Sequence, residues 1–193
     1  MTTGVWDSLL SEFAQVYAAT PRLQAFCAFP NDISRQGVLA HDIPARALLE
    51  SDPGLTTDDY TGLRDAFIAA SSHALWRETY KGTDIDQDFL DRFGCYCLIG
   101  HGGAFSSESL FAYVVYMPAN LHYPWHDHPA EEIYFVLAGE AEFHRQGEPS
   151  EVLKSGEVSF HTSSQPHAMT THDHPVMALV LWRDGFATSP KLT

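Results

Sequence analysis

A chain of 193 residues, 45% of them hydrophobic, can bury one sizeable core and carry an appendage on it. Its formal charge of −14 and its 11 scattered Lys and Arg residues argue against nucleic acid or an anionic membrane as partner, since both demand clustered cations. No apolar run approaches the roughly 20 residues that span a bilayer. The opening stretch MTTGVWDSLLSEF is acidic and amphipathic, unlike a signal peptide, so the cytoplasm is the expected compartment.

In chain order, Trp6, Leu9, Leu10, Phe13 and Val16 recur at helical spacing and predict a first helix. Pro21, Pro30, Pro44 and Pro53 punctuate connections, and residues 30–56 carry no decisive pattern. A second helix is expected from about Asp58 to Thr79, with Leu63, Phe67 and Leu75 toward the core. A third, short one contains Phe89, Leu90 and Phe93 and stops at Gly94. Cys27, Cys95 and Cys97 are odd in number and imply no disulfide framework; Cys95 and Cys97, inside the apolar CYCLIG, read as buried, inert thiols.

From Cys95 onward the text reads as strands: CYCLIG, SLFAYVVYM, EIYFVLAG, EAEFHR, EVLKSG, EVSFH, PHAMTT and VMALVLW, rich in β-branched and aromatic residues and separated by turn signals. Strands at that spacing favour a sandwich or barrel. The expected fold is α+β and mostly β: a helical region over residues 1–94 packed on a β-barrel over 95–193. Residues 1–94 hold only His41 and His73, so the helices are expected to cover the barrel rather than carry chemistry.

Eight of the 11 histidines lie between His122 and His174, and HDHP occurs there twice. Alternate residues of a strand share a face, so His126, His128, Glu132 and Tyr134, all even-numbered, can point inward together. Two imidazoles and a carboxylate suit a divalent first-row metal. The second copy has Ala178 where a glutamate would stand, and Asp173 and Pro175 mark a turn, so His172 and His174 are expected in solvent. A later segment, from Gly156 through Thr162 and Ser164 to His167, brings a third imidazole on another strand. The pair H-x-H-x3-E-x6-G and G…H resembles the two motifs of the cupin superfamily, a small jelly-roll barrel with one metal inside. Thr162 and Ser164 depart from that pattern. The resemblance implies His126, His128, Glu132 and His167 as ligands of one divalent ion: Zn²⁺, Fe²⁺, Mn²⁺, Co²⁺ or Ni²⁺ all suit the set.

Tyr123 and Tyr134 extend the pattern to Y-x2-H-x-H-x3-E-x-Y. With the helical first half, this is similar to the cupin-type dimethylsulfoniopropionate lyases of the DddQ type. The resemblance implies cleavage of that zwitterion to dimethyl sulfide and acrylate in a marine bacterium. The metal would polarise the carboxylate, Tyr123 would remove the α-proton, and Tyr134 would serve as exchangeable ligand or substrate contact. It also implies Trp182 against the cationic sulfonium, with Trp125 and Tyr116 as weaker candidates. Strand parity points Tyr123 away from His126 unless Pro124 introduces a bulge. A cupin isomerase or oxygenase acting on a sugar or another small acid, or a non-enzymatic metal-binding cupin, would use the same ligands. Oligomeric state leaves no mark on the sequence.

Overall fold

The computed structural model describes residues 2–193. Its elements run α1 (Thr2–Ala19), α2 (Pro21–Phe26), β1 (Ser34–Arg35), α3 (Pro44–Ser51), α4 (Thr61–Ala70), a 3₁₀ turn (Ser71–His73) and α5 (Gln87–Arg92). The strands β2 (Gly94–Ile99), β3 (Phe105–Ser106), β4 (Phe111–Met117), β5 (Leu121–Asp127), β6 (Glu131–Arg145), β7 (Glu151–Lys154), β8 (Val158–His161), β9 (His167–Thr171), β10 (Val176–Arg183) and β11 (Lys191–Leu192) follow. None of the described helices is long and apolar enough to cross a membrane.

The helices depart from their sequence reading in instructive ways. Trp6, Leu9, Phe13 and Tyr17 form the buried stripe of α1, while Leu10 and Val16 flank it half-buried. Pro21 and Pro44 open α2 and α3 instead of punctuating loops; a first-turn proline gives up an N–H that the helix would leave unpaired anyway. The helix expected as far as residue 79 stops at Ala70 because the chain turns to meet the sheet. Trp76 pairs its backbone with Tyr96, and its indole N–H donates to the Ser71 carbonyl at 2.9 Å. Asp86 caps α5 by accepting the Phe89 N–H at 2.8 Å. Gly94 begins β2 rather than ending a helix; a Cβ there would stand 2.6 Å from the Trp76 ring.

The strands form one curled sheet in the order β1-β3-β2-β4-β10-β6-β9-β5-β11, with β7 and β8 also paired to β6. EIYFVLAG and EAEFHR, expected as two strands, are the single fifteen-residue β6. Its first half pairs with β10 and β8, its second with β9 and β7, so β6 passes from one wall of the barrel to the other. The crossing is marked by a bulge. Met177 faces Ala138 while Ala178 faces Val136, one residue more on β6 than on β10. Gly139 follows with φ +71°, and a Cβ there would strike the Pro175 carbonyl oxygen. The result is a cupin-type jelly-roll β-barrel with a helical N-terminal part.

Both faces of the central strands are buried. Val176, Ala178, Val180 and Trp182 of β10 point into the barrel with Tyr113, Val115, Tyr134 and Val136. Met177, Leu179 and Leu181 point outward and pack with Trp6, Leu9, Phe13, Leu63 and Phe67 of α1 and α4. A strand covered on both sides has no polar face to show, so VMALVLW is a continuous apolar run. The helices are thus one side of a core whose other side is the barrel wall.

Gly139→Ala should cost at least about 1–2 kcal/mol, the penalty of left-handed backbone for an L-residue, plus whatever moves Pro175 aside. Urea unfolding checks it, with Gly147→Ala, at another positive φ but with open space around it, as the milder comparison.

Candidate metal centre

β5 carries a bulge at Pro124. Tyr123 faces Met169 and His126 faces His167, so three steps on β5 match two on β9. Tyr123 and His126 consequently share the inner face, while Trp125 turns outward. His126, His128 and His167 are buried, and each directs Nδ1 to a backbone carbonyl: Pro124 at 2.8 Å, Ala130 at 3.0 Å and Gln165 at 2.8 Å. A carbonyl only accepts, so each Nδ1 carries the proton and each Nε2 keeps its lone pair.

His128, Glu132 and His167 offer ligand atoms that all lie within 4.8 Å of one another. His128 Nε2 is 3.3 Å from Glu132 Oε1, and His167 Nε2 is 3.1 Å from Oε2. Both nitrogens are buried without a hydrogen-bond partner. Lone pairs aimed at carboxylate oxygens repel in a low-dielectric interior, and a cation placed among them removes that conflict. These residues therefore fit a divalent ion. Burial opposes the Glu132 charge, but positive charge at the neighbouring imidazoles outweighs it and holds the carboxyl well below the usual range, a part that a bound cation would take over from protons. Burial likewise opposes a charged His128, and Glu132 overcomes it, raising that imidazole. The direction is that of a site in want of positive charge.

His126 stands beside this trio rather than within it. Its ring lies 4.1 Å from the His167 ring, 6.3 Å from that of His128, and stacks on Tyr123 at 4.0 Å. Burial, then His167, lowers its basicity well below the ordinary value and leaves it neutral, as a ligand must be. The second HDHP lies in the turn between β9 and β10, where exposed His172 meets Glu142 at 2.9 Å.

A small cavity, about 40 Å³, opens on the cluster. Tyr123, His126, His128, Glu132, Tyr134 and Trp182 line it, together with Phe93, Cys95, Tyr113, Val115 and Val180. Trp182 donates its indole N–H to Glu132 Oε1 at 2.6 Å, and its ring lies 4.3 Å from that of His128. Burial pushes the Cys95 thiol up to about 11, which keeps it protonated although it faces the cavity. Trp125 lies on the surface, and Tyr116 faces the helices, donating to Asp52 at 2.7 Å.

Three further residues at the site are not among those the sequence pattern singles out. Tyr80, from the loop before α5, places its hydroxyl 2.7 Å from that of Tyr123. Arg77 lines the cavity with its guanidinium 5.1 Å from the Tyr113 ring centre. His161 of β8 stands against Glu132, its Nδ1 2.7 Å from Oε2, and burial pushes this imidazole down to about 4. Only His161 left a trace, its period-2 spacing from Ser159 within VSFH.

Metal content measured by elemental analysis should collapse in the His126→Ala/His128→Ala double variant and persist in His172→Ala/His174→Ala. The reverse ranking would move the site to the second HDHP.

The family model of dimethylsulfoniopropionate lyase matches residues 23–178. The dimethylsulfoniopropionate lyase DddQ of Ruegeria pomeroyi is 55% identical over 192 residues, which span 100% of this chain and 96% of that protein. The crystal structure of DddQ from that organism superposes with a TM-score of 0.97, covering 98% of this chain and 96% of the other. Another solved chain, from the crystal structures of the DMSP lyases RdDddP and RnDddQII, is 37% identical with a TM-score of 0.95 and 100% coverage of both chains. With its fold, its buried cluster and these likenesses in agreement, the chain belongs to the dimethylsulfoniopropionate lyase family.

Proposed function

We propose that this chain cleaves dimethylsulfoniopropionate to dimethyl sulfide and acrylate by β-elimination. Residues 1–94 pack on the outer wall of the barrel over 95–193 and lend Arg77, Thr79 and Phe93 to the cavity wall. The observation that carries the proposal is the β5 bulge, which turns Tyr123 to the inner face, where it lines the cavity beside the imidazole–carboxylate cluster. A divalent ion held by His126, His128, Glu132 and His167 would supply Lewis acidity toward the substrate carboxylate, easing charge build-up at the α-carbon.

The remaining work falls to side chains. The Tyr123 oxygen takes the α-proton, the electron pair left behind becomes the new C=C bond, and the β-carbon–sulfur bond breaks. Dimethyl sulfide departs neutral and needs no acid. Burial, with Tyr80 and Tyr134 nearby, holds the Tyr123 hydroxyl well above the ordinary tyrosine range, so the base depends on compensating interactions. A divalent cation at the neighbouring cluster would supply one, since positive charge nearby favours the phenolate. Phe93, Tyr113, Tyr123, Tyr134 and Trp182 present aromatic surface to the sulfonium, worth about 0.5–2 kcal/mol for a well-placed ring. Tyr134, two residues beyond Glu132 on the same face, orients substrate at the metal centre.

Dimethyl sulfide release, followed by gas chromatography, tests the reaction; product from the wild-type chain that stops on chelation and returns with added metal is the expected result. Tyr123→Phe should lower kcat by about 10²–10⁴, the usual contribution of a general base, with metal content unchanged. Tyr134→Phe should alter KM or metal occupancy at least as clearly as kcat. If Tyr123→Phe stays active while Tyr134→Phe is dead with metal bound, the two roles exchange.

A further inference from the structure

We infer that His161 is a positioning residue of the metal centre: a Ser159–His161–Glu132 hydrogen-bond chain holds the Glu132 carboxylate toward His128 and His167 and so sets the affinity for the ion. The role presupposes the ion-binding site proposed above.

Antiparallel pairing of β6 with β8 sets Glu132 opposite His161 and Tyr134 opposite Ser159, and all four side chains are buried. His161 Nδ1 lies 2.7 Å from Glu132 Oε2, and Nε2 lies 3.0 Å from the Ser159 hydroxyl oxygen. An ionised carboxylate has no proton to give, so Nδ1 donates. The bare Nε2 of the neutral ring then accepts the Ser159 proton. This is the opposite arrangement to that of His126, His128 and His167, whose Nδ1 protons go to backbone carbonyls and whose Nε2 lone pairs stay available. His161 has no lone pair left, which makes it a support and not a ligand.

The other oxygen, Oε1, receives the Trp182 indole N–H at 2.6 Å. Glu132 is therefore pinned at both oxygens, by β8 on one side and β10 on the other, and each oxygen retains a lone pair for an ion. The His161 ring also stacks on His167 at 4.0 Å with 21° between planes, so one side chain steadies two of the proposed ligands. Partners of this kind commonly change metal affinity about 10–100-fold when removed.

The test is a Co²⁺ titration of metal-stripped, full-length protein against a competing chelator, read by cobalt absorption, with circular dichroism as the folding control. His161→Phe keeps the ring and removes both hydrogen bonds; its affinity should fall about 10–100-fold. His161→Asn places an amide nitrogen where Nδ1 stands and should remain within about threefold of wild type, whereas His161→Gln, whose amide reaches toward Ser159, should resemble the Phe variant. A folded His161→Phe protein that binds Co²⁺ like wild type overturns the assignment. If the Phe variant does not fold, the Asn and Gln pair decides: Asn above Gln supports the role and equal affinities overturn it. Wild-type protein that takes up no Co²⁺ would overturn the metal reading, and this role with it.

Discussion

Between Tyr123 and His126, β5 carries one residue more than the β9 strand it pairs with, and the open side of the cavity is arranged around that surplus. In an unbroken strand a phenol three residues before an imidazole would point the opposite way. Pro124, with no N–H for the ladder, sits where the extra residue is absorbed. The chain thereby stacks the Tyr123 ring on His126 and brings its hydroxyl within 2.7 Å of Tyr80. Proposed base, proposed ligand and helical-region wall all meet through one irregularity.

The second constraint is electrostatic. A carboxylate among imidazoles, shut away from water, is costly unless positive charge and donors surround it. Glu132 has two donors, Trp182 and His161, from neighbouring strands, while the buried Nε2 atoms of His128 and His167 face it with no hydrogen-bond partner. Donors hold the carboxylate still, and bare nitrogens leave the charge for an ion to balance. That division explains why four buried histidines crowd one carboxylate yet do not all play the same part.

What could be read from the sequence follows from where the bulges fall. Parity grouped Glu132 and Tyr134 within β6, ahead of its bulge near Val136–Ala138, whereas His126 lies at the end of β5 and His128 stands in the turn between the strands, where alternation has no force. Across either bulge the rule inverts: in β6, Tyr134 and Val136 face inward before it and Ala141 and Phe143 after it. His161 has the right parity within β8, but its significance depends on β8 pairing with β6, a long-range choice that no local pattern records. Tyr80 and Arg77 come from a segment whose helical spacing continued past the point where Trp76 leaves to join the sheet. Most of the barrel's strands were recognisable by composition, but β5, with its charged and proline-bearing LHYPWHD, was not, and double burial erased the alternation that would have told inside from outside.

Packing the helices on the outer face of β4, β6 and β10 also sets a problem of timing. The apolar stripe of α1 is synthesised well before the β10 residues it must cover, Met177, Leu179 and Leu181. At ordinary rates of synthesis the interval between Trp6 and Leu179 is roughly 10–35 s. During that time Trp6, Leu9 and Phe13 have each other and α4, but not the wall they finally rest on. The nascent chain is thus exposed to off-pathway association until its last long strand arrives, and its final fold closes late.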